Sequence, residues 1–226
     1  MAKEVKGPSS DNKTMALSRS DIYRLLARVY REEPDLRLIR EAKNRSFQDA
    51  LKEMNIGFEN DFLKAPAPAL VESLAVEYTR LFVGPGKHIA PYESVHHQLN
   101  GGGWGSLWGE STVEVNRFIK TAGLQLKKKY ENLPDHISVE LEFLSEVCKR
   151  EAKACEENDY EGTLYILDME GKFVNDHLIK WAPVFCDKVR KETRSSFYKT
   201  MALLTEEFIR LEEKTISSMI DSILKK

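Results

Sequence analysis

The sequence predicts an all-α protein, a single helical-bundle-like domain of about eight to ten helices. Apolar residues recur at spacings of three and four along most of the 226-residue chain, which is typical of helices that bury one face. Alternating runs of β-branched residues, the pattern of strands, are absent. Prolines and glycines separate the periodic segments, and no repeat of fixed period divides the chain. One hydrophobic core is therefore expected.

The N-terminal part begins with a polar stretch. Residues 1–17 carry charges, Gly, Pro, Ser and Asn without the apolar core of a signal peptide, so they are predicted to form a disordered tail. Ser18 can cap the first helix, which is expected to end at Pro34. A weakly patterned second helical region is predicted over 35–54.

Capping and breaking residues set the later boundaries. They are Pro66 and Pro68 before the third helical region and Phe82 at its end, Ser111 or Thr112 and Gly123 around the next helix, Pro134 before the most regular helix, and Pro183 after a helix that starts near Thr163. A final helical region carries the apolar residues from Phe197 to Ile223.

Composition excludes several classes of partner. The chain has 34 basic and 36 acidic residues and a formal charge of −2, so no global field attracts nucleic acid or an anionic membrane. No apolar run approaches the roughly 18 residues that a membrane span needs. Cys148, Cys155 and Cys186 form neither a CxxC pair nor an even set, which fits a reducing cytoplasm. The predicted location is cytoplasmic.

The stretch 77–96 is the most unusual part of the sequence. A helical pattern gives way to a turn in which Gly84 and Gly86 can take positive φ and Pro85 presets its own φ. Polar and aromatic residues follow: Tyr92, Glu93, His96, His97 and a glycine-rich run with Trp104 and Trp108. Rigid, aromatic-rich loops on helical scaffolds often carry function, so a functional region is predicted here.

An enzyme is the alternative. His96 and His97 are adjacent, so on a helix they would point about 100° apart and could not share one ion. HExxH, GxSxG and P-loop motifs are absent. A site built from His96, Glu93, Asp135 and His136 would require the fold to gather them, and it would make the protein a helical metal-dependent hydrolase.

The segment Pro134-Asp135-His136 has two interpretations. Asp135 is well placed to cap the helix that begins near Ile137, which is a structural role. A carboxylate beside an imidazole is also a good acceptor for guanidinium groups, with charge-assisted bonds worth about 1.5–3 kcal/mol each. The sequence leaves both open.

Three blocks of sequence stand out over roughly residues 70 to 190. They are Leu81-Phe82-Val83-Gly84-Pro85-Gly86 with Pro91-Tyr92-Glu93-Ser94-Val95, the run from Leu133 to Leu144, and the run from Phe173 with Asp176-His177-Leu178 and Trp181-Ala182-Pro183-Val184-Phe185. Together, in this order and spacing, they resemble the TorD/DmsD/NarJ family, whereas residues 1–17, the region 35–68 and the C-terminal end carry no family signature.

This resemblance implies an all-helical cytoplasmic chaperone over residues 18–226. Such proteins bind the twin-arginine leader or the apo catalytic subunit of a molybdopterin-dependent oxidoreductase, and they assist cofactor insertion and proofreading before export. They are not enzymes and hold no cofactor or metal of their own, although weak guanine-nucleotide binding is associated with the family. A monomer or a dimer is expected, since the segment 99–107 offers a hinge for exchanging helices.

The family's leader-binding positions fall on six residues of this sequence: Tyr78, Leu81, Phe82, Pro134, Asp135 and His136. Glu93 is added to them because of its place in the loop. A leader with two guanidinium groups and an apolar helix-forming stretch needs acidic acceptors beside an apolar groove. Tyr78 and Phe82 are four apart and share a helix face. The alternative places Leu81 and Phe82 wholly in the core.

Overall fold

Helix α1 opens the part of the chain that the computed structural model describes, which comprises residues 10–96, 105–126 and 133–224. It spans Ser10–Arg31 and thus begins at Ser10 rather than at the predicted Ser18. Residues 10–17 are therefore helical and not tail. Ala16, in this extension, is fully buried, so the added turns contribute apolar packing. The remainder of the predicted tail, 1–9, lies outside the described residues.

Ten more α-helices follow α1, and π-helical turns prolong two of them. Because α9, π2 and α10 are continuous, the described residues hold ten helical runs and no β-strand, and the predicted all-α class is confirmed. The bounds are α2 Leu36–Ala42, α3 Arg45–Glu53, α4 Asn60–Lys64, α5 Ala67–Tyr78, π1 Thr79–Val83, α6 Glu93–His96, α7 Glu110–Thr121, α8 Ile137–Glu156, α9 Tyr160–Phe173, π2 Val174–Leu178, α10 Ile179–Glu192 and α11 Ser196–Leu224.

Besides the start of α1, two predicted boundaries differ from the structure. The region 35–54 contains two helices, because Asn44 starts α3 by accepting a hydrogen bond from the Ser46 N–H at 2.9 Å. Pro183 does not break a helix but lies inside α10. It follows the wide turn π2, where the regular i to i−4 ladder of hydrogen bonds is already interrupted.

The core is built around the pairing of α1 with α8. The two helices approach closely where small residues face each other: the Ser20 hydroxyl donates to the Ser145 carbonyl at 2.9 Å, and the Ser145 hydroxyl donates to the Ser20 carbonyl at 3.0 Å. Both serines are buried. The reciprocal bonds satisfy the two hydroxyl groups within the helix interface.

A buried ion network ties α1 to three other helices. Arg19 contacts Glu151 of α8 at 2.6 Å, Glu212 of α11 at 2.8 Å, and Glu170 of α9. One guanidinium thus faces three carboxylates. Burial, followed by the charge of Glu170, raises the pKa of Glu151 to about 8. The network therefore holds a proton on Glu151 at neutral pH.

Other sequence expectations concern single segments. None of the described helices is long and apolar enough to cross a membrane. The three cysteines are free and buried. The glycine-rich run with Trp104, and most of the predicted hinge 99–107, lie outside the described residues.

Candidate functional site

Three of the predicted site residues lie at the junction of α5 and π1. Leu81 is 1% exposed, Phe82 6% and Tyr78 8%. The Phe82 ring meets the rings of Tyr78, Tyr198 and Tyr30 at centroid distances of 5.3, 5.8 and 6.1 Å. Leu81 and Phe82 are thus core residues, as the structural alternative expected. Tyr78 differs because it also borders a surface groove.

Gly84 ends the π1 turn in a conformation that the sequence did not predict. Its φ is −63° and its ψ is 164°, and among the described glycines only Gly123 has positive φ. The expectation of positive φ at Gly84 and Gly86 is therefore wrong. Glycine is needed at position 84 for another reason, since a Cβ there would lie 3.0 Å from the Thr79 carbonyl oxygen.

The loop before α6 pairs with the loop before α8. The Glu93 N–H donates to the Asp135 carbonyl and the Ile137 N–H donates to the Pro91 carbonyl, both at 2.9 Å. Between these bonds Tyr92 and His136 form an isolated antiparallel bridge, with their rings 5.0 Å apart. Two blocks that are distant in sequence thus meet, and Pro134 is buried at the same place.

Asp135 does not cap α8. His136 does so, because its Nδ1 accepts from the Ser138 N–H at 3.1 Å. The Asp135 carboxylate is fully buried and accepts from the Ser94 N–H at 3.1 Å, so it caps the short helix α6 instead. Asp135 is therefore a helix cap, as the structural interpretation predicted, but of α6 and not of α8. The hydrogen bond joins two loops that are distant in the sequence.

His136 is a neutral donor in this arrangement. Burial, with a further contribution from the charge of Arg31, lowers the pKa of His136 to about 4. Its Nδ1 accepts from both the N–H and the hydroxyl of Ser138, so the imidazole proton resides on Nε2. The ring therefore offers a hydrogen-bond donor, which suits a carbonyl oxygen rather than a guanidinium group.

Glu93 belongs to a buried carboxylate cluster. It is 1% exposed and accepts from His177 Nδ1 at 3.0 Å. Glu140, which is fully buried, accepts from Trp181 Nε1 at 3.1 Å. Burial, followed by the charge of Glu93, raises the pKa of Glu140 well above its ordinary value. The cluster links α6, α8, π2 and α10, so these residues hold the loop in place.

Sequence reasoning did not assign roles to Glu140, His177 or Trp181. One available signal was Glu140 itself, a charged residue within the apolar stripe of α8. Such a position needs a partner, and the partners were unknown because they come from distant elements.

The ligand set of the proposed hydrolase is not gathered. His96 bonds the Ala90 carbonyl through Nε2 at 2.7 Å and lies against Trp181 at 5.5 Å. Within the described ranges, the only three metal-ligating side chains with ligand atoms within 4.8 Å of one another are Cys148, Glu151 and Glu170. That group is part of the Arg19 network. The metal-hydrolase alternative therefore loses its site.

A surface groove of about 630 Å³ lies where α1, α2 and π1 meet, and we call it the α1–α2 groove. Its apolar wall includes Tyr78 and Val83, and Val83 is 64% exposed. The rest of its lining is Arg28, Arg31, Glu32, Glu33, Asp35 and Leu38. Sequence reasoning predicted only Tyr78 of these residues. Arg31 connects the groove to His136, whose pKa it lowers.

Comparison with known proteins assigns the chain to a family. The family described as "Nitrate reductase delta subunit" matches residues 40–187. The chain belongs to this family, and the predicted TorD/DmsD/NarJ relationship is confirmed.

Individual relatives match between about seven and nine tenths of the chain. The chain is 24% identical to "Chaperone protein TorD" of Shewanella pealeana over 219 residues, 90% of this chain and 91% of the relative. It is 26% identical to the protein of the same name from Shewanella piezotolerans over 216 residues, 89% and 93% of the two chains. It is 29% identical to the protein of the same name from Photobacterium profundum over 165 residues, which are 72% of this chain and 73% of the relative.

Proposed function

We propose that this chain is a cytoplasmic, non-catalytic chaperone of a molybdopterin oxidoreductase. It binds the twin-arginine leader, the apo catalytic subunit, or both, and it assists cofactor insertion and proofreading before export. Family membership over residues 40–187 supports the chaperone class, and so do relatives named chaperone over most of the chain. The observation that carries the leader-binding step is the α1–α2 groove, where an apolar wall and carboxylates stand side by side.

The groove has the chemistry that an amphipathic peptide needs. An apolar helical stretch can pack on Tyr78 and Val83, while carboxylates that line the same groove accept charged donors. Tyr78 is held in place because its hydroxyl donates to the Tyr30 carbonyl at 3.1 Å and its ring packs on Phe82. In this proposal Leu81 and Phe82 support the groove wall from the core side.

The remaining predicted residues shape the loop beside the groove. Pro134, Asp135 and Glu93 are buried and fix the paired loops. The partly exposed His136 lies near Arg31, whose charge lowers the pKa of the imidazole, and the partly exposed Tyr92 packs its ring against His136. His136 donates through Nε2 to a carbonyl of the bound peptide, because backbone carbonyls are the acceptors that an extended leader segment presents.

Isothermal titration of the full chain with a synthetic leader peptide tests this function. The peptide carries an Arg-Arg pair followed by an apolar helix-forming stretch, and mass spectrometry after incubation reports whether it stays intact. We expect saturable 1:1 binding with a negative heat-capacity change, which is the signature of apolar surface buried on binding. We also expect the peptide to remain unmodified. Cleavage of the peptide, or the absence of binding, contradicts the proposal.

Nucleotide binding stays a prediction from the family. Equilibrium dialysis with guanine and adenine nucleotides, with and without the leader peptide, measures it directly. We expect weak binding of guanine nucleotides. We also expect the leader peptide to bind equally well without nucleotide. A leader affinity that appears only with nucleotide would make the nucleotide part of the site.

A further inference from the structure

Two adjacent acidic residues lie in the α1–α2 groove, at the junction of α1 and α2. We propose that the guanidinium pair of a twin-arginine leader docks on Glu32 and Glu33, rather than on Asp135 and Glu93. This inference rests on the proposed leader binding and names the acceptor residues within it. Both carboxylates line the groove and both residues are exposed.

The buried carboxylates are closed to a peptide. Asp135 is 0% exposed and Glu93 is 1% exposed. The Asp135 side chain already accepts from the Ser94 N–H, and Glu93 already accepts from His177. A guanidinium could reach them only by opening the paired loops. Accessible acceptors must therefore come from elsewhere on the surface.

Glu32 and Glu33 are the surplus charges of the groove. Its two arginines are matched by other acids, since Arg28 bonds Asp35 at 3.0 Å and Glu41 at 2.7 Å, and Arg31 bonds Glu142 at 2.9 Å. Among the described residues neither Glu32 nor Glu33 forms an ion pair, and Glu33 only accepts a 3.3 Å hydrogen bond from the Thr79 hydroxyl. The groove therefore retains two carboxylates for an incoming pair of cations.

The end of α1 strengthens this negative potential. Helix α1 ends at Arg31, directly before the two glutamates, and the C-terminal end of a helix carries a partial negative charge. Acidic residues are disfavoured at that position in an isolated helix. Two of them there, with no ion pair among the described residues, leave a negative potential that a cationic ligand can meet at the helix end.

The groove also offers an apolar surface near its acidic residues. Tyr78 and the exposed Val83 line the same groove, and the hydrogen bond from the Thr79 hydroxyl places Glu33 beside π1. The apolar stretch that follows the arginines of a leader can therefore pack on this surface while the arginines remain on Glu32 and Glu33. A short peptide would thus satisfy its charged and its apolar parts within one groove.

Fluorescence anisotropy with labelled peptides tests the assignment. The probes are an Arg-Arg leader peptide and the same peptide with Gln-Gln, titrated with the wild-type chain and with the double variant Glu32→Gln/Glu33→Gln. The matched control is Glu53→Gln/Glu207→Gln, which removes two exposed carboxylates that have no hydrogen-bond or ion-pair contact in the described structure. Thermal melting of each variant verifies folding.

We expect the groove variant to bind the Arg-Arg peptide roughly tenfold or more weakly, with the Gln-Gln peptide little changed and the control equal to wild type. Salt should weaken Arg-Arg binding more in the wild type than in the groove variant. If wild type and groove variant bind the Arg-Arg peptide equally, the inference is wrong while leader binding stands. If the wild type binds neither peptide, leader binding itself fails and the inference with it.

Discussion

At the scale of single residues, Asp135 shows how a buried carboxylate can be structural at a predicted binding site. Its side chain accepts from the Ser94 N–H and its carbonyl accepts from the Glu93 N–H. These two bonds join the loop before α8 to the start of α6. Because a buried N–H without a partner is costly, the side chain is needed mainly to keep this junction closed.

The substitution Asp135→Ala should lower the free energy of unfolding by about 1–3 kcal/mol, since it leaves the Ser94 N–H unpaired in the interior. Asp135→Asn retains an accepting oxygen and should cost clearly less. Urea unfolding at neutral pH measures both. The exposed change Asp49→Ala serves as a control and should stay within about 0.5 kcal/mol of wild type. Equal stability of the Ala variant and wild type would contradict the role of this bond.

The Arg19 network should also make the free energy of unfolding depend on pH. The pKa of Glu151 is about 8 in the folded protein against an ordinary value of 4.5. Between these values the folded state holds a proton that the unfolded chain releases, so this residue makes the free energy of unfolding fall as pH rises.

In Glu151→Gln this contribution should disappear. The free energy of unfolding of the variant should equal that of wild type near pH 4.5. Near pH 8 it should be higher than that of wild type by more than about 1 kcal/mol. Chemical unfolding across that range measures the difference. Glu146→Gln, an exposed position on the same helix, is the control and should follow the wild-type profile. Parallel profiles for Glu151→Gln and wild type would show that Glu151 is ionised at neutral pH.

At the scale of elements, the π1 turn sets where the chain leaves α5. The Gly84 N–H donates to the Thr79 carbonyl at 2.6 Å, which brings the backbone at position 84 close to the preceding turn. This close approach leaves no space for a side chain. The geometry places Val83 on the surface and Phe82 in the core, so it defines one wall of the α1–α2 groove.

Gly84→Ala should therefore destabilise the fold by about 1–3 kcal/mol through contact with the Thr79 carbonyl. Gly86→Ala is the matched control in the same loop, because a Cβ there meets nothing within 4 Å. It should be neutral or slightly stabilising. Thermal melting of the two variants provides the comparison. Identical melting temperatures would show that the loop relaxes without cost.

The elements also show which features local sequence patterns could predict. The start of α8 near Ile137 and its apolar stripe follow from periodicity and a preceding proline, and the structure has them. The helical Pro183 and the His136 cap were missed because each depends on neighbouring geometry that no local pattern contains. Glu32 and Glu33 carried no signal, since acidic residues after a helix are common in solvated loops.

The candidate site was predicted less well than the fold for the same physical reason. The pairing of Glu93 with His177 spans 84 positions, and spacing in the sequence does not reveal such a contact. Burial of Leu81, Phe82 and Asp135 depends on how helices pack together. The family blocks select a region of the chain, and only the packing separates its buried residues, which hold the loop, from its exposed residues, which line the groove.

At the scale of the whole molecule, the structure combines a stable core with an open groove. The α1–α8 pair and the Arg19 network connect the main helices, so the groove at the end of α1 is supported by ordered elements. Binding there requires no opening of the core. This arrangement is consistent with the proposed chaperone function, since a ligand in the groove does not require the core to rearrange.

The central claim is that the chain holds a molybdoenzyme catalytic subunit before its cofactor is inserted. The most direct test is to co-express the tagged chain with the leader-bearing catalytic subunit of a molybdopterin oxidoreductase, and to measure molybdenum per catalytic subunit in the purified complex and in the released enzyme. We predict a stable complex with a nearly molybdenum-free catalytic subunit and a loaded released enzyme. Absence of a complex, or a complex whose catalytic subunit is already fully loaded, would contradict the claim.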